Sequence, residues 1–266
     1  VSIFFGNVLA AKQKKRRLNS EPDYNRIWPG TELPESAETR IAHQVVEEMR
    51  QRNVFISVDI HNNTGLNPHF ACINSLQPEY LHLASLFGRL TVYFLRPKGV
   101  QSAAFARICP AVTLECGKPG VQFGVEHALD YLDTCLHLTH LSQRLPAAHD
   151  IDLFHTVALV KIRDDVEFSF DNDSADLKLS INLERLNFTE INAGTSFGVV
   201  KPDTAMPLYC KDENGMDTTE KYFIINNQQL VTKTAVMPSM LTLNETIIRQ
   251  DCLCYLMERI KLPGWK

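Results

Sequence analysis

The sequence has no apolar stretch that approaches the length of a membrane-spanning helix, and no secretory signal opens it. It also lacks a strong excess of charge, since the formal net charge is −4 over 266 residues. A balance this mild gives no reason to expect a nucleic acid or an anionic membrane as a partner. The rest of the composition, 44% hydrophobic and 22% charged, is that of an ordinary globular protein with a substantial core.

The cysteines lack the pattern of a disulfide framework or of a zinc knuckle. There are seven of them, an odd number, and even the closest pair, Cys252 and Cys254, has only one residue between its members. Scattered thiols fit a reducing compartment, so a cytoplasmic location is predicted.

Up to about residue 148 the apolar pattern alternates between strands and helices. Strands are predicted at 1–5, 54–60, 68–74, 91–95 and 111–115, and helices at 36–52, 78–90 and 123–144. This alternation predicts a mixed or parallel α/β sheet with helices on both faces. Beyond 148 the pattern changes to short strands, so we expect an α/β domain over 1–148 and a small all-β domain over 149–266.

Polar side chains appear where two of the predicted buried strands end. Asp59 and His61 close one strand, and Glu115 closes another. The carboxyl ends of strands in an open α/β sheet are where ligands bind, and a partly desolvated carboxylate there is a candidate general base. The structural alternatives are a turn at 61–64 and a surface ion pair between Glu115 and Lys118.

A second polar cluster lies in a loop before the first long helix. Asn25 and Arg26 stand side by side there, and an arginine beside an amide suits capture of a carboxylate through two hydrogen bonds. The alternative is a loop whose residues 23–26 bond only to one another.

Three segments together carry a resemblance to a known family. Asp-Tyr-Asn-Arg-Ile-Trp-Pro-Gly at 23–30 resembles the Asp-Leu-Asn-Arg-x-Phe-Pro-Gly motif of the succinylglutamate desuccinylase/aspartoacylase family, which belongs with the zinc carboxypeptidases. Asp-Ile-His-Asn-Asn-Thr at 59–64 is similar to its Asp-Leu-His-Asn-x-Thr, and Thr-Leu-Glu-Cys-Gly at 113–117 resembles its Glu-x-Gly segment. The order and spacing of all three agree. The resemblance implies a mixed-sheet, zinc carboxypeptidase-like domain followed by a small all-β domain.

The resemblance also implies roles for individual residues. Glu115 is expected to activate a zinc-bound water, and His61 to be one ligand of that Zn2+. Asn25 and Arg26 are expected to bind the carboxylate of the substrate, and Arg17 (or else Arg16) is expected to be a catalytic arginine that assists with the same carboxylate. Arg107 is a further arginine expected to contact the substrate. Asn62 is expected to line the substrate site and to orient the histidine or its loop.

These roles predict a zinc-dependent hydrolase that cleaves the amide bond of an N-acyl amino acid. The alternatives are a metallocarboxypeptidase acting on short peptides and a metal-free relative that binds carboxylates. The expected partner is a small molecule with a free carboxylate, and a homo-oligomer is compatible with all three readings.

One feature of the family is absent from the sequence. The other two zinc ligands of the family lie in a His-x-x-Glu motif, and no such motif precedes Asn25 here. The chain begins without methionine, in an apolar run at 1–5 that is typical of an internal strand. We therefore expect that the segment with this motif is missing from the given sequence; the alternative is the metal-free relative.

Overall fold

A computed structural model describes residues 1–265. The α-helices in this range are α1 (Val8–Lys12), α2 (Ala37–Gln51), α3 (Pro78–Ser85), α4 (Gln101–Phe105), α5 (Gln122–Leu136), α6 (Thr219–Tyr222) and α7 (Glu245–Gln250). The strands are β1 (Ser57–His61), β2 (Phe70–Ile73), β3 (Leu90–Tyr93), β4 (Ala111–Glu115), β5 (Asp152–Ile162), β6 (Phe168–Ser169), β7 (Leu177–Leu179), β8 (Ser196–Val200), β9 (Leu208–Lys211), β10 (Phe223–Asn226), β11 (Gln229–Thr232), β12 (Met237–Ser239) and β13 (Cys254–Arg259). None of the helices in residues 1–265 is both long enough and apolar enough to cross a membrane.

The main sheet is mixed and runs in the order β1-β4-β2-β3-β5-β13-β12, with β9 also paired to β5. Strands β1 and β4 are parallel, as are β2 and β3, whereas β2 pairs with β4 in the antiparallel sense. A second sheet of five strands runs in the order β10-β11-β8-β7-β6. The predicted fold class, a mixed α/β sheet followed by a small β-rich part, is confirmed.

Strand β4 separates the two helical layers because alternate side chains of a strand point to opposite faces. Val112 and Leu114 pack in one apolar core with α3 and α5. Ala111 lies in another core, with α2 and α4. Thr113 and Glu115 share the face of Ala111, so they lie on the side of the sheet opposite α3 and α5.

The main sheet continues across the predicted domain boundary at 148. Strand β5 pairs in parallel with β3 and in the antiparallel sense with β13, so strands from both halves of the chain share one sheet. The main sheet is therefore continuous across residue 148, and the division of the chain into two domains there stays a prediction.

Residues 1–5 do not form the predicted buried strand. No strand is found there, and the side chains of Val1, Ile3 and Phe5 are exposed. Phe4 instead packs edge-to-face on Trp28, with 5.6 Å between ring centroids. An apolar run becomes a strand only where another strand offers hydrogen-bonding partners, and no strand within residues 1–265 pairs with this segment.

The remaining predicted elements of the first half are present, β4 with the predicted ends and the others with one or both ends shifted. Helix α2 begins after Ser36, whose side chain and that of Thr39 form a reciprocal cap. Strand β1 begins three residues later than predicted, and α5 ends at Leu136 rather than continuing to 144. Shifts of this size do not move the polar residues that end β1 and β4.

Gly124 allows α5 to cross directly over the end of β4. A Cβ atom at this position would lie 2.1 Å from the carbonyl oxygen of Cys116, which is backbone and cannot move aside cheaply. We expect Gly124→Ala to lower the free energy of unfolding by about 2–3 kcal/mol, because the helix must shift away from the strand. Chemical denaturation measures this change.

The matched control for Gly124 is Gly88→Ala. An added Cβ at Gly88 would have no heavy atom within 4 Å, so this substitution should not destabilise the protein. Equal denaturation midpoints for the two variants would show that a Cβ atom at position 124 can be accommodated beside Cys116 without loss of stability.

Candidate active site

The parallel strands β1 and β4 bring three ionisable side chains to one edge of the main sheet. In their register Asp59 is opposite Thr113, and His61 is opposite Glu115. Because residues two apart on a strand share a face, all four side chains lie on the same face of the sheet. The sequence placed polar residues at the two strand ends, and the parallel pairing of those ends makes them neighbours.

His61 is paired with a carboxylate from its own strand. Its Nε2 atom lies 3.0 Å from Oδ2 of Asp59. Burial acts to lower the pKa of His61, but the negative charges of Asp59 and Glu115 outweigh burial and raise that pKa to about 9. The two carboxylates therefore favour the protonated imidazole in this arrangement, whereas a metal ligand has to be the neutral form.

Glu115 is buried at the end of β4 and is fixed by an amide. Nδ2 of Asn63 donates to Oε2 of Glu115 over 3.2 Å, and Asn63 is itself buried. Burial raises the pKa of Glu115, while the nearby charge of His61 and the Asn63 hydrogen bond act in the opposite direction. A carboxylate with a raised pKa is better able to accept a proton near neutral pH than an exposed one.

Two arginines line the same pocket, and we call Arg16 and Arg26 the arginine pair. Arg26 is the last residue of a single turn of 3-10 helix. Asp23 caps this turn, because its Oδ1 accepts from the backbone N–H of Asn25 at 3.0 Å. Nη1 of Arg26 donates to the carbonyl oxygen of Asn25 at 2.7 Å, which orients the guanidinium.

Both members of the arginine pair contact carboxylates of the protein. Nη2 of Arg16 lies 2.6 Å from Oδ2 of Asp23 and 3.4 Å from Oδ2 of Asp251. Nη2 of Arg26 lies 3.0 Å from Oδ1 of Asp251. Asp251 follows α7, so this contact joins the N-terminal loop to the C-terminal part of the chain.

The pocket brings together five of the seven residues predicted for the site. The pocket is lined by Asn25, Arg26, His61, Asn62 and Glu115, together with Arg16, the alternative to Arg17. Arg17 and Arg107 are not in its lining, and Arg107 is exposed beside Gly30. In a loop without a repeating period, the sequence alone does not determine which of two adjacent arginines faces inward.

Asn62 lines the pocket and also fixes the loop after β1. Its Nδ2 donates to the carbonyl oxygen of Gly117 at 3.3 Å, and the backbone N–H of Asn63 donates to the same oxygen at 3.0 Å. These two bonds tie the loop after β1 to the loop after β4. Asn62 therefore holds together the two loops that follow His61 and Glu115.

Sequence reasoning missed the pocket residues that come from the second half of the chain. Thr156, Ser239, Asp251 and Tyr255 all line the pocket. Three of them lie in strands and Asp251 directly follows a short helix, in a part of the sequence whose pattern indicates only a β-rich core. Asp251 is 225 positions from Arg26. No local signal in the sequence points to a contact at that separation.

The zinc that the family resemblance implies fits these residues incompletely. His61 offers one nitrogen donor, but its Nε2 is engaged by Asp59. Within residues 1–265 no group of three or more histidine, cysteine, aspartate or glutamate side chains is arranged to hold a metal ion. Catalytic zinc is bound by three protein ligands, so the described residues do not form a complete zinc site on their own.

The comparisons with known proteins concern both sequence and fold. The family described as the succinylglutamate desuccinylase/aspartoacylase catalytic domain matches residues 1–140. No curated protein sequence matches the chain.

Several solved structures share the fold over nearly the whole chain. Succinylglutamate desuccinylase from Chromobacterium violaceum aligns with a TM-score of 0.58 at 18% identity, covering 98% of this chain and 73% of its own. The succinylglutamate desuccinylase/aspartoacylase from Rhodobacter sphaeroides aligns with a TM-score of 0.56 at 14% identity, over 95% and 73% of the two chains. Murine aminoacylase 3 aligns with a TM-score of 0.55 at 15% identity, over 97% and 82%. At these identities the likeness establishes the fold alone.

Proposed function

This chain belongs to the succinylglutamate desuccinylase/aspartoacylase family, and we propose that it hydrolyses the amide bond of an N-acyl amino acid held by its free carboxylate. One observation carries the proposal: the arginine pair and Glu115 line the same pocket. Two guanidinium cations in the same pocket as a buried carboxylate suit a substrate with an anionic end and a neutral amide a few bonds away.

The arginine pair is assigned to the carboxylate of the substrate. Guanidinium groups present several N–H donors in a fixed plane, which match the two oxygens of a carboxylate. Asn25, which carries a side-chain amide, lines the same pocket. The arginine that assists with the substrate carboxylate was predicted as Arg17, with Arg16 as the alternative. We assign this role to Arg16, because Arg16 lines the pocket.

Glu115 is assigned the proton transfers of hydrolysis. It accepts a proton from the water that attacks the amide carbonyl and delivers a proton to the departing amine nitrogen. Its burial raises its pKa, which supports both directions of transfer, and the bond from Asn63 keeps one carboxylate oxygen in place.

Zinc remains part of the proposal only as the cofactor that the family resemblance implies. His61 is the residue proposed to bind it, and no step of the reaction is assigned to the metal because the described residues supply an incomplete site. A second candidate function is a carboxylate-binding protein without catalysis, which the arginine pair in the pocket supports as well.

Hydrolysis of N-acetyl-L-alanine and of N-acetyl-L-alaninamide, followed by release of the free amine, tests the proposal. We expect kcat/KM to be about 100-fold or more higher for the carboxylate, since the carboxamide offers the arginine pair no negative charge. The assay is run with and without added zinc salt, so that incomplete metal loading does not hide activity.

Two outcomes of this assay would overturn the hydrolase proposal. Equal kcat/KM for both compounds would show that no charge on the substrate is recognised. Binding of N-acetyl-L-alanine without any hydrolysis, at every zinc concentration, would instead support the carboxylate-binding protein. Alanyl-alanine, assayed in parallel, separates a deacylase from a carboxypeptidase because its amide bond joins two amino acids.

A further inference from the structure

Asp251 contacts the arginine pair with the geometry expected of a substrate carboxylate. Its Oδ1 lies 3.0 Å from Arg26, and its Oδ2 lies 3.4 Å from Arg16, so each oxygen is directed to a different guanidinium. These side chains are only partly exposed, at 21% for Asp251 and 19% for Arg26. Water therefore screens the pair less than it would at an open surface.

We propose that Asp251 is a specificity-determining residue that competes with the ligand carboxylate for the arginine pair. This inference rests on the proposed function, which assigns the arginine pair to that carboxylate. A ligand then binds by displacing Asp251 from Arg26, and ligands without a carboxylate cannot displace it. Asp251 is thus an internal competitor that excludes uncharged and weakly charged compounds.

The charges in the pocket support displacement rather than simple addition. The two cations of the arginine pair already face the two anions Asp23 and Asp251. A ligand carboxylate that entered without moving either one would place a third anion beside them, which Coulomb repulsion disfavours in a partly buried site. One of the two protein carboxylates has to give way.

Asp251 is the carboxylate that can move. Asp23 caps the turn that carries Arg26 by accepting from the backbone N–H of Asn25, so its removal would disturb that turn. Within residues 1–265 the Asp251 carboxylate has hydrogen bonds to Arg16 and Arg26 alone. A ligand carboxylate replaces both of these bonds, and rotation of the Asp251 side chain into solvent breaks no others.

A structural role for Asp251 makes the opposite prediction. If Asp251 only held Arg26 in position, removing its charge would leave Arg26 poorly oriented and would weaken the binding of a ligand carboxylate. The sign of the change in affinity therefore separates competition from support.

The experiment is isothermal titration of N-acetyl-L-alanine into wild-type protein and the Asp251→Asn variant. We expect the dissociation constant of the variant to be about tenfold lower, the order expected when one charge-assisted ion pair no longer has to be broken. Asp251→Glu keeps the charge and should remain close to wild type.

Asp152→Asn is the matched control. Asp152 also contacts two arginines, Arg89 at 3.2 Å and Arg259 at 2.8 Å, and it is similarly exposed at 30%. It does not line the pocket, so its removal should leave the affinity for N-acetyl-L-alanine unchanged. If Asp152→Asn also bound N-acetyl-L-alanine more tightly, the increased affinity of Asp251→Asn would result from the change in net charge and not from the pocket.

Each result of the titration decides between supporting and overturning the inference. Weaker or unchanged binding of N-acetyl-L-alanine by Asp251→Asn overturns the inference about Asp251. If Arg26→Gln binds N-acetyl-L-alanine more weakly than wild type in the same experiment, the proposed function stands. Absence of binding by wild type and Asp251→Asn alike overturns both. Thermal unfolding checks that the variant is folded. If it is not, Asp251→Ser carries the same prediction, and unfolding of both variants would show that Asp251 is a structural support.

Discussion

Glu115→Gln should lower kcat for the hydrolysis of N-acetyl-L-alanine by about two to four orders of magnitude, the range for loss of a general base. Glutamine keeps the size of the side chain and can still bond to Asn63, so the β4 edge should keep its shape. Because the substrate carboxylate is assigned to the arginine pair and not to Glu115, the dissociation constant for N-acetyl-L-alanine should change by less than about threefold. Steady-state kinetics and titration of the same preparation measure the two quantities.

The control for this substitution is Glu126→Gln. Glu126 is an exposed carboxylate on α5 that contacts Gln122 and lies outside the pocket, so its removal should leave kcat unchanged. Near-normal turnover in Glu115→Gln would show that another group takes the proton. A loss of binding as large as the loss of kcat would show that the substitution disturbs the whole pocket.

The arrangement around Glu115 could be predicted from the sequence because it follows from local rules. Two apolar runs that end in polar residues predict two buried strands, and parallel pairing brings their ends to one edge of the sheet. The alternation of side chains then places Asp59, His61 and Glu115 on one face. Only the choice of neighbouring strands had to come from the structure, and the family resemblance favoured the observed choice.

The arginine pair and the pocket residues near it were only partly predictable. Arg26 lies in a recognisable motif, whereas the choice between Arg16 and Arg17 depends on how an irregular loop packs. Asp251 and Tyr255 reach the pocket through the pairing of β13 with β5, a contact between segments about a hundred positions apart in the chain. Side chains placed by such long-range pairing leave no periodic signal in the sequence.

Residues 1–5 show the limit of apolar pattern as a predictor of strands. The pattern is that of a buried strand, but a strand also requires a partner for its backbone hydrogen bonds. β1 is the outermost strand on its side of the main sheet, and residues 1–5 do not pair with it. The apolar pattern indicates that a segment can form a strand, and the presence of a neighbouring strand determines whether it does.

Arg26→Gln should raise the dissociation constant for N-acetyl-L-alanine by about 30- to 100-fold, as expected for removal of one partner of a charge-assisted, partly buried contact. Glutamine cannot supply the charge or the planar set of donors of a guanidinium. The backbone turn should remain, because Asp23 caps it through the N–H of Asn25. Arg89→Gln, which removes a more exposed arginine bound to Asp152, is the control and should bind as wild type.

Titration of wild-type and Arg26→Gln protein with N-acetyl-L-alanine and with N-acetyl-L-alaninamide tests most directly whether the arginine pair holds a ligand carboxylate. We expect wild type to bind the carboxylate at least about tenfold more tightly than the carboxamide, and the substitution to remove this preference. Equal affinity of the wild type for the two compounds, or a preference that survives in Arg26→Gln, would contradict the assignment of the arginine pair to the substrate.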